Sequence, residues 1–366
     1  MNIGIDARLM YETGVGRYIR NLISGLEEIP SNHRFFIYLS KKGFESFRPA
    51  SDRFIPRLAD VHWHTASEQV LLPRIFLANR LDVLHEPYVS IPIFYPKPMV
   101  VTVHDLTLLT KTTGHASRLP KALYSLKKMG LRTIMSRGLS NATKIIAVSR
   151  ATADDIVSHY PGTTGKITVI SEGVDEQLVQ TPIQKPDVPQ PYVLAVGNAY
   201  PHKNLAFLCE AFVRYREKSG EDIRLVLAGK EDYFYRKLAD NPWFIRGGNH
   251  ILRVEPESDI ELANLYRGAE ALLFPSAAEG FGLPIIESLA LGTPVLCSDI
   301  AVFREVAGHY ATYIPVGECN AWVRALGETQ YRKRIPGSVS EHIKTTYSWK
   351  NTARQTLDLY EHCTRL

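Results

Sequence analysis

One stretch of the sequence, from Ala271 to Gly292, constrains the fold more than any other. It opens with a short apolar run, Ala271–Phe274, which predicts a buried strand of a parallel sheet. The glycines that follow, Gly280 and Gly282, allow the backbone to turn tightly or to approach a ligand closely. A strand, a glycine-rich turn and a helix in this order are typical of an α/β fold.

The helix predicted after this turn indicates an anion site. Pro284 suits the first helical turn, and we expect the helix over Ile285–Leu291 with Gly292 as its C-terminal stop. Free N–H groups and the positive end of the helix dipole favour phosphate. Glu279 before the helix and Glu287 in its first turn only accept hydrogen bonds, which suits sugar hydroxyls. An ordinary strand–turn–helix with solvated glutamates is the alternative that the spacing alone leaves open.

The run Glu-Gly-Phe-Gly-Leu-Pro from Glu279, with Glu287 after seven intervening residues, resembles the Glu-x7-Glu motif of retaining, nucleotide-sugar-dependent glycosyltransferases of family 4. Segments at 1–20, 100–109, 144–175, 192–205 and 348–360 are similar to the family's, in the same order. The resemblance implies the GT-B fold, an α/β architecture of two doubly wound Rossmann-like domains facing each other across a cleft.

Length agrees with two domains, because 366 residues exceed one ordinary hydrophobic core. We expect an acceptor-side domain over residues 1–180, a linker with four prolines over 181–191, and a donor-binding domain over 192–346. The resemblance implies that the C-terminal segment, about 347–366, packs back on the first domain.

Composition and termini favour a cytoplasmic protein. No apolar run approaches the roughly 18 residues that a membrane span needs, and the strand-like start with Asp6 does not resemble a signal peptide. The four cysteines are scattered, which favours free thiols in a reducing compartment.

Further runs predict the remaining strands and helices. The predicted strands are Asn2–Asp6, Phe35–Leu39, Val61–His64, Asp82–His85, Met99–Val103, Lys144–Val148, Ile167–Ile170, Tyr192–Val196, Ile223–Ala228, His250–Val254 and Pro294–Ser298. Helical periodicity follows Gly16, with Tyr18, Leu22, Ile23 and Leu26 on one face, and follows Asn204, with Leu208, Ala211, Phe212 and Tyr215. A third helix, Ser258–Arg267, begins with Ser258 as its cap and Glu261 three residues later.

Positive charge is concentrated in the first half of the chain, where residues 1–180 hold 22 Lys and Arg against 16 Asp and Glu. Leu106–Ala153 contains nine basic residues and no acidic one. Within it a helix is predicted over Leu119–Ser136, with Lys121, Lys128 and Arg132 on one face. The opposite, core-facing side carries Leu119, Leu123, Leu126, Gly130 and Ile134. The basic helix at 118–137 is either a solvated face or a surface that holds the protein peripherally on anionic lipid at the inner face of the cytoplasmic membrane. No nucleic-acid motif accompanies it, so nucleic acid is not an expected partner.

Two glycines after the first strand, Gly14 and Gly16, invite comparison with a dinucleotide-binding loop. Ile19 stands where the third glycine of that fingerprint is required, which argues against it. In the family this loop approaches the donor phosphates and the acceptor. A flexible loop is the alternative.

His104 and Asp105 follow the predicted strand Met99–Val103, at the sheet edge that binds ligands. In the family the matching histidine lies beside the donor sugar and the reacting centre, whereas a lone histidine there also suits a loop cap.

The second domain contains a phosphate-binding loop by resemblance. Lys203 enters a helix N-terminus beyond the strand Tyr192–Val196, a position suited to neutralising phosphate. The family has arginine where Asn198 stands, so one expected pyrophosphate cation is missing. Arg17, Arg150 and His202 are the candidates to replace it. The family usually has asparagine where Glu172 stands.

The resemblance implies a role for each remaining candidate. The backbone after strand His250–Val254 contacts the nucleotide base in the family, which indicates Val254 and Glu255. Glu279 would accept from sugar hydroxyls and Glu287 from ribose hydroxyls. His104, Lys203 and Glu279 are the candidate catalytic residues. The candidate donor-binding residues are Gly14, Gly16, Asn198, Val254, Glu255, Gly280, Phe281, Gly282, Leu283 and Glu287.

The predicted reaction is transfer of a hexosyl unit from a nucleotide diphosphate sugar to a hydroxyl of a glycan or lipid-linked acceptor. No side chain qualifies as a covalent nucleophile, so the family's front-face mechanism with retention is expected. No Asp-x-Asp occurs, so we expect neither a metal nor another cofactor. The Pro-His-Lys-Asn loop favours GDP-mannose, as in bacterial surface-polysaccharide mannosyltransferases, and a UDP-hexose such as UDP-glucose is the second choice. An epimerase, a phosphorylase and a non-catalytic sugar-nucleotide binding module are the other classes considered, although a pyridoxal-bearing lysine context for a phosphorylase is not evident.

Overall fold

The computed structural model of the protein describes residues 1–12, 14–63, 65–107 and 121–364, without the side chains of 121–128 and 329–330. The chain divides into two compact units. The first comprises Met1–Glu172 together with Trp349–Leu366, and the second comprises Gly173–Ser348. The last helix of the chain therefore belongs to the first unit.

The first unit is built on a seven-stranded parallel sheet with the strand order β3-β2-β1-β4-β5-β6-β7. Its strands are β1 (Asn2–Asp6), β2 (Arg34–Leu39), β3 (Phe54–Leu58), β4 (Val83–Glu86), β5 (Met99–Val103), β6 (Lys144–Ala147) and β7 (Ile167–Val169). The chain adds β2 and β3 on one side of β1 and then places β4 on the other side. The carboxyl ends of β1 and β4 therefore form the topological switch point, where open α/β sheets bind ligands.

The second unit contains a six-stranded parallel sheet with the order β10-β9-β8-β11-β12-β13. Its strands are β8 (Tyr192–Val196), β9 (Arg224–Ala228), β10 (Ile251–Val254), β11 (Leu272–Phe274), β12 (Val295–Ser298) and β13 (Ala311–Ile314). The strand order reverses between β8 and β11, so the loops after these two strands lie at its switch point.

Helices connect the strands in both sheets. In the first unit they span Val15–Glu28, Lys41–Ser46, Glu68–Leu77, Lys121–Asn141, Arg150–His159 and Trp349–Cys363, with a 3₁₀ turn at Pro161–Lys166. In the second unit they span Glu176–Gln180, Leu205–Ser219, Tyr233–Ala239, Pro242–Gly247, Asp259–Gly268, Leu283–Ala290, Ala301–Ala307, Cys319–Gly327 and Gly337–Thr346. Three 3₁₀ turns in that unit are Pro201–Lys203, Gly248–His250 and Thr329–Arg332.

The predicted core faces of two helices are confirmed. Tyr18, Leu22, Ile23 and Leu26 are buried on the first helix, and Leu208, Ala211, Phe212 and Tyr215 are buried on the helix Leu205–Ser219. The first helix packs against the last one, and a Cβ on Gly25 would lie 2.8 Å from the Cβ of Ala353. A glycine is required there because the two helices approach so closely. The predicted cap is also confirmed, since the Ser258 side chain accepts from the Glu261 N–H at 3.2 Å.

Most predicted strands exist within one or two residues of their predicted bounds, but Val61–His64 is wrong. Residues 61–63 form no strand, and His64 lies outside the described residues. The edge strand next to β2 is Phe54–Leu58, whose Pro56 is tolerated because an edge strand has one unpaired side. The other edge strand, Ala311–Ile314, was also missed.

Part of the predicted basic helix lies in residues that the structure does not describe. Residues 118–120 and the side chains of Lys121 and Lys128 lie there, as do the side chains of the predicted core positions 119, 123 and 126. Arg132 is exposed as predicted, but Gly130 is exposed rather than core-facing. The buried side is formed by Met135, Gly138 and Leu139. Gly138 packs closely on Ile91, since a Cβ on Gly138 would lie 2.6 Å from that side chain. In the described part of the chain, no helix combines the length and the apolar character needed to cross a membrane.

Candidate functional site

The loop after β8 begins with a tightly fixed glycine. Gly197 has φ +129°, its N–H donates to the Ala228 carbonyl at 2.9 Å, and its carbonyl accepts from the Tyr235 hydroxyl at 2.7 Å. A Cβ on Gly229, after β9, would lie 2.1 Å from the Gly197 carbonyl oxygen. The two loops therefore need glycine at 229 in order to pack.

The same loop brings Lys203 to Glu279. Lys203 ends the short 3₁₀ turn, and Asn204 follows with φ 54° and donates its side-chain amide to the Pro275 carbonyl at 3.1 Å. The Ala277 N–H donates to the His202 carbonyl at 2.8 Å, which ties the loop after β8 to the loop after β11. Lys203 Nζ consequently lies 2.5 Å from Glu279 Oε1.

This ion pair is only partly shielded from water. The side chain of Lys203 is 19% exposed and that of Glu279 is 13% exposed. Lys203 Nζ also lies 5.4 Å from the ring centroid of Phe274, a favourable cation–π distance. A ligand that carries both phosphate and hydroxyl groups would find a cation and a hydrogen-bond acceptor side by side.

The helix after Glu279 begins earlier than predicted. It spans Leu283–Ala290, with Gly282 at φ +104° as its N-cap. Glu287 therefore lies in the second turn rather than in the first. Gly280 and Phe281 are buried, and the Phe281 ring meets the Tyr347 ring edge-on at 5.6 Å.

Glu287 is a buried carboxylate with an internal partner. It is 2% exposed, and its Oε2 accepts from the Tyr266 hydroxyl at 2.8 Å. Tyr266 lies on the helix Asp259–Gly268, so this bond joins two helices of the second unit. Its predicted contact with ribose stays a prediction.

Three other predicted donor residues lie in the second unit at the carboxyl ends of its strands. The Val254 carbonyl already accepts from the Gly229 N–H at 2.9 Å, and the Glu255 side chain accepts from the Glu231 N–H at 2.9 Å. Both therefore fix the loop after β9. Asn198 Oδ1 is buried and has no hydrogen-bond partner among the described residues. This oxygen is an acceptor that a ligand donor can use.

His104 follows β5 in the first unit and is held at both ring nitrogens. Its Nδ1 lies 2.9 Å from Glu172 Oε1, and its Nε2 lies 3.0 Å from the Pro87 carbonyl oxygen. A carboxylate oxygen and a carbonyl oxygen both accept hydrogen bonds, so this geometry favours a ring that carries two N–H groups. Burial lowers the pKa of His104, but the hydrogen bond and charge of Glu172, with the Pro87 carbonyl and Asp105, outweigh burial and raise it.

A buried hydrogen-bonded chain lies behind His104. Its ring contacts Tyr18 edge-on, with centroids 4.8 Å apart, and the Tyr18 hydroxyl lies 3.1 Å from Thr102 Oγ1. Thr102 Oγ1 lies 2.8 Å from His85 Nε2, and His85 Nδ1 lies 2.5 Å from the Tyr360 hydroxyl. Burial and the nearby positive charge of His104 lower the pKa of His85 to about 3, so this second histidine is neutral.

Gly14 and Gly16 differ in why glycine suits each position. Gly14 is exposed, has φ +65° and is the N-cap of the first helix. Gly16 is buried, and a Cβ there would lie 2.7 Å from the Met10 carbonyl oxygen. Close packing of the loop after β1 on the first helix therefore accounts for Gly16 without any ligand.

The remaining candidates are distributed over both units. Asp105 is exposed, and its Oδ1 accepts from the Thr107 N–H at 2.7 Å. Arg17 lies in the first turn of the first helix, and Arg150 begins the helix after β6 and is exposed. His202 precedes Lys203 in the second unit.

The structure thus brings Lys203, Glu279, His202 and the helix N-terminus at Gly282 to one sheet edge. In the first unit it pairs His104 with Glu172, a contact that the sequence analysis missed. Glu172 was noted only as a departure from the family's asparagine, and that departure was the available signal. In the described ranges, no three His, Cys, Asp or Glu side chains form a group suited to a metal ion.

Two family models match consecutive parts of the chain. The model described as Glycosyltransferase Family 4 matches residues 13–178, and the model described as Glycosyl transferases group 1 matches residues 179–328. Among curated relatives, the O-antigen chain mannosyltransferase RfbU of Salmonella typhimurium is 27% identical over 285 residues, which cover 78% of this chain and 74% of the relative. The MMP alpha-(1->4)-mannosyltransferase of Mycolicibacterium hassiacum is 27% identical over 280 residues, which cover 72% of this chain and 65% of the relative.

Solved structures share the fold over the full length of the chain. Sucrose-phosphate synthase from Thermosynechococcus elongatus superposes with a TM-score of 0.76 at 18% identity, covering 99% of this chain and 98% of the other. Anabaena HepE in complex with UDP and glucose superposes with a TM-score of 0.73 at 15% identity, covering 99% of this chain and 100% of the other.

Proposed function

Because the chain is a GT-B glycosyltransferase that joins a family 4 region to a group 1 region, we propose that it transfers a hexosyl unit from a nucleotide diphosphate sugar to a hydroxyl of a glycan or lipid-linked acceptor. The observation that carries the proposal is the Lys203–Glu279 pair at the switch point of the second sheet. It joins a cation suited to phosphate and a carboxylate suited to hydroxyls in one place that water can reach.

The chemical task explains why these groups lie together. As the sugar leaves, negative charge grows on the diphosphate while an oxocarbenium-like centre develops on the sugar. Lys203 and the N–H groups at Gly282 and Leu283 would stabilise that leaving group. Glu279 would hold the sugar hydroxyls, and Glu287 the ribose hydroxyls.

Retention would follow from a front-face reaction, in which the leaving phosphate accepts the proton of the incoming hydroxyl. In this proposal His104 lies at the reacting centre as a fixed cation rather than as a general base. Its two N–H groups already donate to Glu172 and Pro87, so no ring lone pair is left to accept a proton.

GDP-mannose is the proposed donor, and mannose is the sugar that is transferred. RfbU, the Mycolicibacterium enzyme and the O-antigen chain mannosyltransferase B of Escherichia coli, which is 26% identical over 281 residues, are all named mannosyltransferases. Two of the three names refer to O-antigen, which supports a role in bacterial surface-polysaccharide assembly. The cytoplasmic side of the membrane is the location that this proposal assumes.

One ligand panel tests the donor. Ligands stabilise a protein by RT ln(1 + [L]/Kd), so a thermal-shift series with GDP, UDP, ADP and their sugars should give its largest shift with GDP-mannose. A larger shift with a UDP-hexose would replace the donor in the proposal.

A second assay tests the reaction class. Incubation of the preferred donor with octyl glycoside acceptors, followed by NMR of the anomeric proton, should give an axial, retained product. Conversion of the donor sugar without an acceptor would indicate an epimerase. Binding without any product would indicate a sugar-nucleotide binding module.

A further inference from the structure

Two acidic residues end the neighbouring strands at the switch point of the first sheet. Asp6 is the last residue of β1, and Glu86 is the last residue of β4. These strands adjoin in the sheet although two other strands separate them in sequence. Because ligands of open α/β sheets bind beyond the carboxyl ends at this point, the surroundings of both side chains are informative.

Most polar groups around this point satisfy one another. Arg8 Nη2 donates to Asp6 at 2.6 Å and to Glu68 at 2.7 Å, and its Nη1 donates to the Val61 carbonyl at 2.8 Å. The Ser90 hydroxyl donates to the same Glu68 carboxylate at 2.5 Å. The carboxylates of Asp6 and Glu68 therefore have partners within the protein.

Glu86 is the exception. It is 1% exposed, and its Oε1 has no hydrogen-bond partner among the described residues. Burial, followed by the negative charge of Asp6, raises the pKa of Glu86 well above its ordinary value, although Arg8 opposes this. The raised pKa favours the protonated form, and the side-chain hydrogen bond to Asp6 leaves Oε1 without a partner among the described residues. Buried polar atoms without partners are rare, and such an atom at a ligand edge indicates a function.

Glu86 borders a small cavity. The cavity has a volume of about 10 Å³, and its wall includes Asp6, Arg8, Glu86 and Ser90, with the partly exposed Leu9 and Tyr88 also lining it. Such a volume holds one water molecule or one hydroxyl group. Pro87, which follows Glu86, accepts from His104 at 3.0 Å, so the cavity adjoins the candidate reacting residue.

We propose that this cavity is an acceptor subsite, in which one hydroxyl group of the acceptor sugar enters and donates a hydrogen bond to Glu86 Oε1. The inference rests on the proposed transferase function and adds the residue that recognises the acceptor. A hydroxyl donor suits the cavity because its open group is an acceptor oxygen, while Arg8 brings positive charge to the same wall. A cationic group would meet that positive charge.

The test compares a substitution that keeps the polar groups of Glu86 with one that removes them. Glu86→Gln keeps a carbonyl oxygen and a donor toward Asp6, so it should leave the acceptor KM within about twofold of wild type. Glu86→Leu removes the acceptor oxygen, so it should raise the acceptor KM about tenfold, the usual effect of losing one hydrogen bond. Octyl α-mannoside, octyl α-glucoside and octyl α-galactoside serve as acceptors, with the best substrate of wild type used for the comparison.

Thermal stability provides a measurement that needs no acceptor. Glu86→Leu should raise Tm, because it replaces a buried group with one unsatisfied oxygen by an apolar one, while Asp6 keeps its bonds from Arg8. A lower Tm would mean that Glu86 serves the fold and would overturn the subsite. An unchanged acceptor KM in Glu86→Leu would leave only a structural water in the cavity and would also overturn it.

A second variant keeps the subsite testable if Glu86→Leu does not fold. Ser90→Thr retains the hydroxyl that donates to Glu68 and adds one methyl group to the cavity wall. It should raise the acceptor KM without lowering Tm, and an unchanged KM would count against the subsite. The thermal shift with GDP should be equal in all variants. If GDP caused no thermal shift in the wild type, the proposed donor would be rejected. The Tm comparison between Glu86→Leu and the wild type would still stand.

Discussion

Lys203 Nζ lies 2.5 Å from Glu279 Oε1, so the proposed phosphate cation and the proposed sugar-binding carboxylate neutralise each other before any donor binds. A donor phosphate would replace Glu279 as the partner of Lys203 and free the carboxylate for hydroxyls. The loops that carry both residues are tied together by the bond from Ala277 to His202. The pair is therefore positioned in advance, which is how electrostatic stabilisation of a leaving group avoids reorganisation.

Removal of the cation should impair turnover strongly. Lys203→Ala should lower kcat/KM about 10²-fold or more, since the developing diphosphate charge loses its preorganised partner. Steady-state kinetics with the preferred donor measure this. Lys237→Ala, an exposed lysine of the helix Tyr233–Ala239, is the matched control and should retain wild-type kinetics. Equal kinetics for the two variants would remove Lys203 from the site.

Glu287 should contribute to nucleotide affinity beyond its internal bond. Glu287→Ala should weaken binding of free nucleotide about tenfold or more, as expected for one or two charge-assisted bonds. Tyr266→Phe removes the same internal hydrogen bond but keeps the carboxylate, so it should cost about 1 kcal/mol of stability and leave the affinity unchanged. Titration calorimetry distinguishes these outcomes, and equal loss in both variants would show that Glu287 only supports the helix pair.

The pair of His104 and Glu172 should make stability depend on pH. The folded pKa of His104 is raised above its ordinary value of 6.5, so the stabilisation is fully present below that pH and is lost as pH rises through the raised pKa. Glu172→Gln should therefore destabilise by about 1–3 kcal/mol near pH 6 and by less near pH 9. Urea unfolding at both values measures the difference. A loss of equal size at both would contradict an imidazolium, as would a histidine Cε1 resonance that titrates identically in variant and wild type.

Turnover should not require a divalent metal. In the proposed mechanism Lys203 and the N–H groups of the helix Leu283–Ala290 supply the positive charge for the leaving diphosphate. Rates in excess EDTA should match rates in buffer alone. Loss of turnover in EDTA that Mg²⁺ restores would show that the diphosphate needs a metal as well.

The helix Lys121–Asn141 should bind anionic membranes if its basic face is functional. Arg132 and Arg137 are its exposed basic residues with described side chains, and each charge near an anionic surface contributes about 1 kcal/mol. Arg132→Gln with Arg137→Gln should reduce sedimentation with phosphatidylglycerol vesicles about tenfold or more. Lys237→Gln with Arg324→Gln, on the second unit, removes equal charge and should have no effect. If the wild-type protein bound neutral vesicles equally well, this surface would not be a site for anionic lipid.

Much of the fold was predictable because buried parallel strands are uniformly apolar. Asn2–Asp6, Met99–Val103 and Tyr192–Val196 have the predicted bounds. The errors lie at sheet edges, where strands are shorter and less apolar. Phe54–Leu58 contains a proline and an arginine, and Ala311–Ile314 has only one residue that is fully buried. The predicted GT-B fold is confirmed.

The candidate sites were less predictable where they depend on contacts between distant residues. The motif from Glu279 to Glu287 is local, so it could be recognised in the sequence. The partner of His104 is 68 residues away, and no pattern along the chain links them. Asp6 and Glu86 end two strands that become neighbours only through the sheet order, although an acid at each strand end was a visible signal.

The first unit is completed by a segment that follows the whole second unit in the sequence. Helix Trp349–Cys363 packs on helix Val15–Glu28, and the Trp349 ring meets the buried Tyr18 ring at 5.7 Å. During translation the whole of Gly173–Ser348 emerges before this helix does. Because domains fold as units as they leave the ribosome, the second unit can fold while the first still has an uncovered helix face. We therefore expect the first unit to reach its final packing after the second.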